Sequence, residues 1–365
     1  MATALTTTAD AASWSGHVKV NADQIFNRQA AAFFLLDENG KITLDGGETI
    51  GSPAFYGTNP NVKFYSGYET LDLNDFEFAK EPQWDWKQFN GPTPLSRIQV
   101  KKNQGRARKF DLPGQKLRVT AGTMTRDFGT ALYADGTANS GLGTAKQIDG
   151  LGAAIGDNNG GASAVYGGIT RNSSATWWYA QIDDTTTYLT PDTLLAQFMA
   201  CQKMGLGPSG WACFTTAFQY RRLLNQIAGP ERIMRGPETQ RMISGGFLAM
   251  EYMGNPIVYD PACPTDLDDD IVTSGAGTLW IINRDYVKIV GLGGGDDAMF
   301  GMGDMPDTQV DGMTGQAEVV YQGWTFRPWQ TPVNQDAVVS HMFWDGNLVS
   351  SVPRSTGAFR KLSET

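Results

Sequence analysis

The spacing of apolar positions marks out a few helices among many short β segments. Residues 23–36 (DQIFNRQAAAFFLL) carry Asp23 in a first turn and close on an apolar run, which predicts a short helix stopped by the turn signal at 37–40. In residues 113–133 (PGQKLRVTAGTMTRDFGTALY), Leu117, Ala121, Met124, Phe128 and Leu132 fall on one face of a helix of several turns, and Pro113 suits its first position. Gly122 and Gly129 each cost about 1 kcal/mol relative to Ala, so packing compensates or the helix bends there. Residues 191–204 predict a second helix, with Thr190 as N-cap and Pro191 at the first helical position, and a third runs over about 216–227.

Residues 211–215, 247–252, 257–259, 278–282 and 337–343 read as strands. Helices and strands do not alternate strictly, so the expected fold class is α+β. Residues 41–111 are irregular and punctuated by Gly and Pro, with alternating pieces at 62–68 and 71–78 that suit an exposed β-ribbon. They end in the basic run Lys101, Lys102, Arg106, Arg108 and Lys109, which fits a charged hairpin tip facing an acidic neighbour as well as a nucleic-acid patch. Residues 1–16 (MATALTTTADAASWSG) lack periodic apolar positions and read as an arm that orders against a partner, and the low-complexity stretch 136–144 reads as a loop.

Composition narrows the picture. A chain of 365 residues is long enough for about two or three domain-sized units. With 41% hydrophobic and 18% charged residues it is a folding, globular sequence, and its 43 Gly, 10 Trp, 12 Tyr and 18 Phe favour a turn-rich protein with large contact surfaces. A formal net charge of −9 argues against overall affinity for nucleic acid, which rests on Lys and Arg displacing counterions from phosphates. Cys201, Cys213 and Cys263 are odd in number and have no ligand spacing, which predicts reduced, buried thiols. The start of the chain shows no basic and apolar leader, and no apolar run reaches the about 18 residues of a membrane span, so a cytoplasmic site of synthesis is expected.

The residues of common catalytic devices are scarce. His17 and His341 are the two histidines, the first in the arm and the second in an apolar strand, where a packing role is expected. Gly205, Gly207 and Gly210 spell G-x-G-x-x-G, but the order here is helix then strand, the reverse of a dinucleotide site, and a Walker A sequence is missing. Asp266, Asp268, Asp269 and Asp270, and then Asp296, Asp297, Asp304, Asp307 and Asp311, form acidic loops without the EF-hand pattern. No cofactor or metal is expected.

The order of several segments resembles the major capsid proteins of tailed bacteriophages with the HK97-like fold. The 113–133 helix resembles that family's spine helix, the ribbon before it the extended E-loop, and the first residues the N-terminal arm. KQIDGLGAAI (146–155) and YGGITR (166–171), followed by Trp177 and Trp178, are similar to the turns that follow the spine helix. WACFTT leading to AFQYRRLL, and FLAMEYMGNPIVYDPACP (247–264) leading to TLWIINRDYVKIV, resemble the axial-domain core, while residues 336–362 resemble the final peripheral strand and return. Residues 291–330 match no part of the pattern.

The resemblance implies an arm with its first helix at 1–36, an E-loop at 37–112, a peripheral domain at 113–149, an axial domain at 150–335 and a peripheral return at 336–365. It implies a subunit without catalytic residues that assembles with itself into hexamers and pentamers of an icosahedral virion shell, built in the host cytoplasm with scaffolding, portal and cement proteins as partners. The shell encloses double-stranded DNA without sequence-specific binding, and no membrane takes part. Trp84, Trp86 and Phe89 in the ribbon, with Lys101, Lys102, Arg106, Arg108 and Lys109, are the candidate intersubunit contacts. Two further readings come from other classes, a carbohydrate-binding phage tail or adhesin β-rich protein and a carboxylate-based hydrolase; the first would favour repeats, and none are present.

Overall fold

The computed structural model describes residues 30–35, 41–44, 46–71, 74–103, 112–136, 146–156, 165–202, 210–227, 236–264, 276–292, 319–321, 324–332 and 336–363. Outside them lie the N-terminal arm with His17, the expected helix before Ala30, the turn at 37–40, most of the 136–144 loop, Gly205, Gly207, both acidic loops, and Arg106, Arg108 and Lys109. The helices are α1 (Ala30–Leu35), α2 (Arg97–Lys102), α3 (Leu112–Tyr133), α4 (Leu151–Ala154), α5 (Pro191–Gln202), α6 (Ala217–Ile227) and α7 (Pro237–Ser244).

The strands of the two larger sheets are β1 (Lys41–Leu44), β2 (Lys87–Ser96), β3 (Gln181–Asp183), β4 (Trp211–Thr215), β5 (Ala249–Tyr252), β6 (Asn255–Tyr259), β7 (Ala276–Asn283), β8 (Val287–Leu292), β9 (Val319–Tyr321), β10 (Trp324–Gln330), β11 (Ala337–Ser350) and β12 (Gly357–Ser363). One sheet has the order β5-β6-β4-β7-β12-β3. Its β4 is buried at every position, as an apolar run with no polar alternate residues requires. Trp211 and Cys213 join a cluster with Leu194, Phe198 and Leu223 of α5 and α6, while Ala212 and Phe214 join a second cluster with Phe34 of α1.

The other sheet is organised on β11, which pairs with β2 along one side and, along the other, with β10 and then β8. Gly346 is opposite both Lys87 of β2 and Gly291 of β8, so β2 and β8 flank it on opposite sides, and β8 takes over from β10, whose pairing ends at Trp344. Where β2 flanks it, β11 alternates buried and half-buried positions, and from Gly346 onward it is buried throughout. β2 carries Pro92 and Pro94, which point the same way because residues two apart share an edge. The Pro94 carbonyl accepts from Lys116 Nζ of α3 at 2.9 Å, so the edge lacking two N–H groups is turned away from β11, which leaves the ladder to β11 intact and blunts the outer edge. At Gly91 any side chain would run into Met124 and Thr120, so this glycine lets α3 lie close against β2.

The expected long helix is α3, continuous through both glycines, with Ala121, Met124, Phe128 and Leu132 buried. Thr190 caps α5 reciprocally: Thr193 N donates to Thr190 Oγ1 at 3.2 Å and Thr190 N to Thr193 Oγ1 at 3.0 Å. All five expected strand segments are present: 211–215 has the expected bounds, 247–252 begins only at Ala249, and the other three are extended where neighbours supply partners. Cys201, Cys213 and Cys263 are free and buried, and burial pushes the Cys201 thiol up to about 12.

Three expectations are corrected. The described residues of the pieces at 62–68 and 71–78 are not in strands; both of their faces meet water, so alternation has nothing to bury, and the ribbon pairs 50–51 with 83–84 and 54–55 with 79–80 instead. Lys101 and Lys102 belong to the last turn of α2 rather than a hairpin tip, where cations favour the exposed helical carbonyls. Helix α7 was not expected; it opens on Pro237, and Gly236 N donates to the Glu251 carboxylate. The strands β8, β9 and β10 lie in the sheet of β11, while β12 lies in the sheet of β4.

Candidate assembly surface

The ribbon of residues 50–84 has a root and a tip with opposite surroundings. At the root, Ile50 is paired with Trp84, which is 2% exposed and meets Tyr166 edge-on, with ring centroids 5.5 Å apart. Tyr166 belongs to a tight hairpin of residues 165–170 whose turn glycines Gly167 and Gly168 have φ of 57° and 72°, the pair of positive angles that a two-residue hairpin turn demands. Gly167 also accepts from Gln83 N at 3.0 Å, and a side chain there would strike Pro82 and Trp84. Tyr56 stacks on Trp177 at 4.1 Å and 5°, which fixes the ribbon's first strand to the same platform.

Beneath these rings lies Arg171, 1% exposed. It donates to the Trp178 carbonyl at 3.1 Å and to the Ala153 and Ala154 carbonyls at 2.9 and 2.8 Å, with its guanidinium 5.1 Å from the Tyr166 ring centre. The planar fork thus satisfies backbone oxygens at the end of α4 that would otherwise be orphaned. Burial raises the Tyr166 phenol, whose oxygen accepts from Ser350 N at 2.9 Å.

Asn347 of β11 completes the root. Its Oδ1 accepts from Asp149 N and Leu348 N, both at 2.9 Å, and its Nδ2 donates to the Asp85 carbonyl at 3.0 Å and to Asp149 Oδ2 at 2.7 Å. One fully buried amide therefore joins the ribbon, the segment after α3 and the long strand. Burial raises the Asp149 carboxyl, against the lowering effect of Asn347.

The tip is the reverse. Between residues 58 and 76 the described backbone is turn and coil, and Val62, Phe64, Tyr65, Tyr68 and Leu71 face water, Phe64 and Tyr68 at 105% and 106% exposure. Phe55 and Phe78, stacked at 6.2 Å just below, are exposed as well. Burying one such aromatic side chain contributes roughly 1.5–3 kcal/mol, and nothing in the described chain does so here. The arrangement offers no chemistry for bond making. It offers an apolar projection on a rigid base.

Of the expected contacts, Trp84 is committed to its own core, because the ribbon's first strand and the 165–170 hairpin close over it. Trp86 is half-buried and donates its indole N–H to the Gly47 carbonyl at 2.9 Å, and Phe89 packs half-buried against the core. Lys101 and Lys102 are exposed on α2, away from these aromatics in sequence, and the remaining three basic residues are outside the described region. Sequence reasoning did not single out Phe64, Tyr65 and Tyr68, which the structure leaves exposed; the signal was their setting in a stretch without a second apolar face. His341 is half-buried, with Nδ1 3.3 Å from Asn90 Oδ1 and its ring stacked on Phe343, the expected packing role. Among the described residues no group of three His, Cys, Asp or Glu could hold a metal, and no helix is long and apolar enough to cross a membrane.

No family model matches the chain, and no curated protein does. Among solved structures it is similar to the capsid asymmetric unit of cyanophage A-1(L), with a TM-score of 0.63 and 16% identity over 92% of this chain and 93% of that one. An encapsulin complex from Synechococcus elongatus PCC 7942 gives 0.47 at 11% identity, covering 81% and 79%. The capsid of cyanophage P-SCSP1u gives 0.45 at 12%, covering 89% and 86%. The first likeness, nearly end to end on both chains, gives this chain the HK97-like α+β capsid fold.

Proposed function

We propose that the chain is a major capsid protein of a tailed bacteriophage, a structural subunit that assembles with copies of itself into hexamers and pentamers of an icosahedral head around double-stranded DNA. The observation that carries this reading is the ribbon: a clamped root and an apolar tip that its own subunit leaves uncovered, on a fold similar throughout to a cyanophage capsid subunit. Residues 1–36 act as the arm and 37–112 as the E-loop, with 113–149 and most of 336–365 in the peripheral domain and 150–286 in the axial domain. The strands at 287–292 and 319–330 go with the peripheral sheet, as their pairing with β11 supports. Scaffolding, portal and cement proteins are partners, and the DNA is enclosed without sequence-specific contacts, in keeping with the net charge of −9.

Heterologous contacts that close on themselves make rings, and the tip of one subunit lying on the next is such a contact. Expression of the full chain, alone and with the neighbouring phage genes, followed by sedimentation and negative-stain electron microscopy, tests this. Closed shells or capsomer rings are the expected products. A monomer under every condition overturns the reading and directs attention to glycan binding.

A further inference from the structure

Asp260 lies at the turn after β6 and is 1% exposed. Its carboxylate gathers donors from three separate parts of the chain: Ala31 N in the first turn of α1 at 3.2 Å, the Tyr133 hydroxyl at the end of α3 at 2.8 Å, and Ala262 N of its own turn at 2.9 Å. Asp260 N in turn donates to the Thr215 carbonyl at the end of β4, at 3.2 Å. All three side-chain partners are neutral, and the salt bridges among the described residues do not include Asp260. The helix it holds is short but deeply placed, with Ala30, Ala31, Phe34 and Leu35 buried and Phe34 against Phe214 at 5.8 Å.

We propose that Asp260 is a charge-sensitive latch: it ties α1, and with it the chain leading in from the N-terminus, to the junction of α3 and the β4 sheet, and its grip weakens when the carboxylate is ionised. A carboxylate sunk among neutral donors loses its hydration without an opposing charge in return, whereas the neutral acid keeps acceptor capacity for Ala31 N and avoids that cost. Burial raises the Asp260 carboxyl above its ordinary value, ahead of the lowering effect of its three donors. If α1 leaves, water reaches Asp260 and the ordinary value returns. Docking of α1 therefore binds a proton: it is strongest below the ordinary carboxylate range and weakens as pH rises through the raised value.

The other titratable groups facing the site are the Tyr133 phenol, which burial pushes far up, and the Cys263 thiol. The Arg284 guanidinium lies 5.7 Å from the Phe34 ring centre and is held by Glu238 at 3.0 Å. The latch does not rest on the shell reading, since it can be measured on the free chain.

Hydrogen–deuterium exchange of the full chain from pH 4 to 8, corrected for intrinsic exchange, tests it at a peptide spanning 30–35, with a β4 peptide as control. In the wild type, protection of 30–35 is expected to fall severalfold with rising pH while β4 stays constant. Asp260→Asn, which keeps the shape and removes the charge, should leave protection high and flat across the range. A flat wild-type profile, or a slope that persists in the Asn variant, overturns the latch. Should the Asn variant not fold, Tyr133→Phe serves: it removes one donor, so protection of 30–35 should drop at every pH with the slope retained, and unchanged protection would equally overturn it.

Discussion

Trp84 and Phe64 belong to the same ribbon and to the same chemical class, yet one is enclosed by Tyr166, Pro82 and the 165–170 hairpin and the other is in open water. At the root Tyr56, Trp84 and Tyr166 each have a ring partner within the subunit, and Arg171 and Asn347 donate to backbone carbonyls of Ala153, Ala154 and Asp85 there. At the tip the rings are as large but the backbone lacks ladder pairs and the apolar faces lack a floor. The root is finished by one chain, whereas the tip is left open by the described residues, as the proposed contact with a second subunit requires. A subunit whose stability is invested at the root can therefore hold its contact residues in position before any partner arrives.

If this division is right, substitutions at the root should cost folding stability and those at the tip should not. The largest effect is expected for Trp84→Ala, at about 3–5 kcal/mol in denaturant unfolding, together with faster proteolysis of residues 50–84. Arg171→Met leaves the Ala153, Ala154 and Trp178 carbonyls short of a donor and should cost about 3 kcal/mol, read the same way. Asn347→Leu removes four hydrogen bonds from a buried junction and should cost about 2 kcal/mol, with the ribbon rather than the β4 sheet losing exchange protection. Phe64→Ser with Tyr68→Ser should change unfolding by less than about 0.5 kcal/mol, since neither ring touches its own core. A large loss of stability at the tip, or none at the root, would break the comparison.

Much of this fold was legible because local patterns and burial agree. The helical face from Leu117 to Leu132, the Thr190–Pro191 start of α5 and the apolar run of β4 all announce surfaces that the chain does cover. Pairing was less legible: nothing local tells that β11 passes from β10 to β8 between Trp344 and Gly346, or that residues 287–292, 319–321 and 324–330 join its sheet, because registers are set by distant partners. Burial was not legible in one respect, for a physical reason. Trp84 and the tip aromatics carry the same sequence signal, large apolar side chains in a Gly- and Pro-rich stretch, and only tertiary enclosure by residues 165–178 separates them. Arg171, Asn347 and Asp260 stand within segments that carry the family resemblance, but no local pattern gave their roles, since each works through tertiary contacts.

The most direct measurement is sedimentation velocity of the Phe64→Ser, Tyr68→Ser double variant beside the wild type, under conditions in which the wild type assembles, with unfolding followed on the same samples. The account predicts a variant that is as stable as the wild type but remains as free subunits. Wild-type yields of closed shells from the variant would contradict it, because the exposed tip would then not be the surface that joins one subunit to the next.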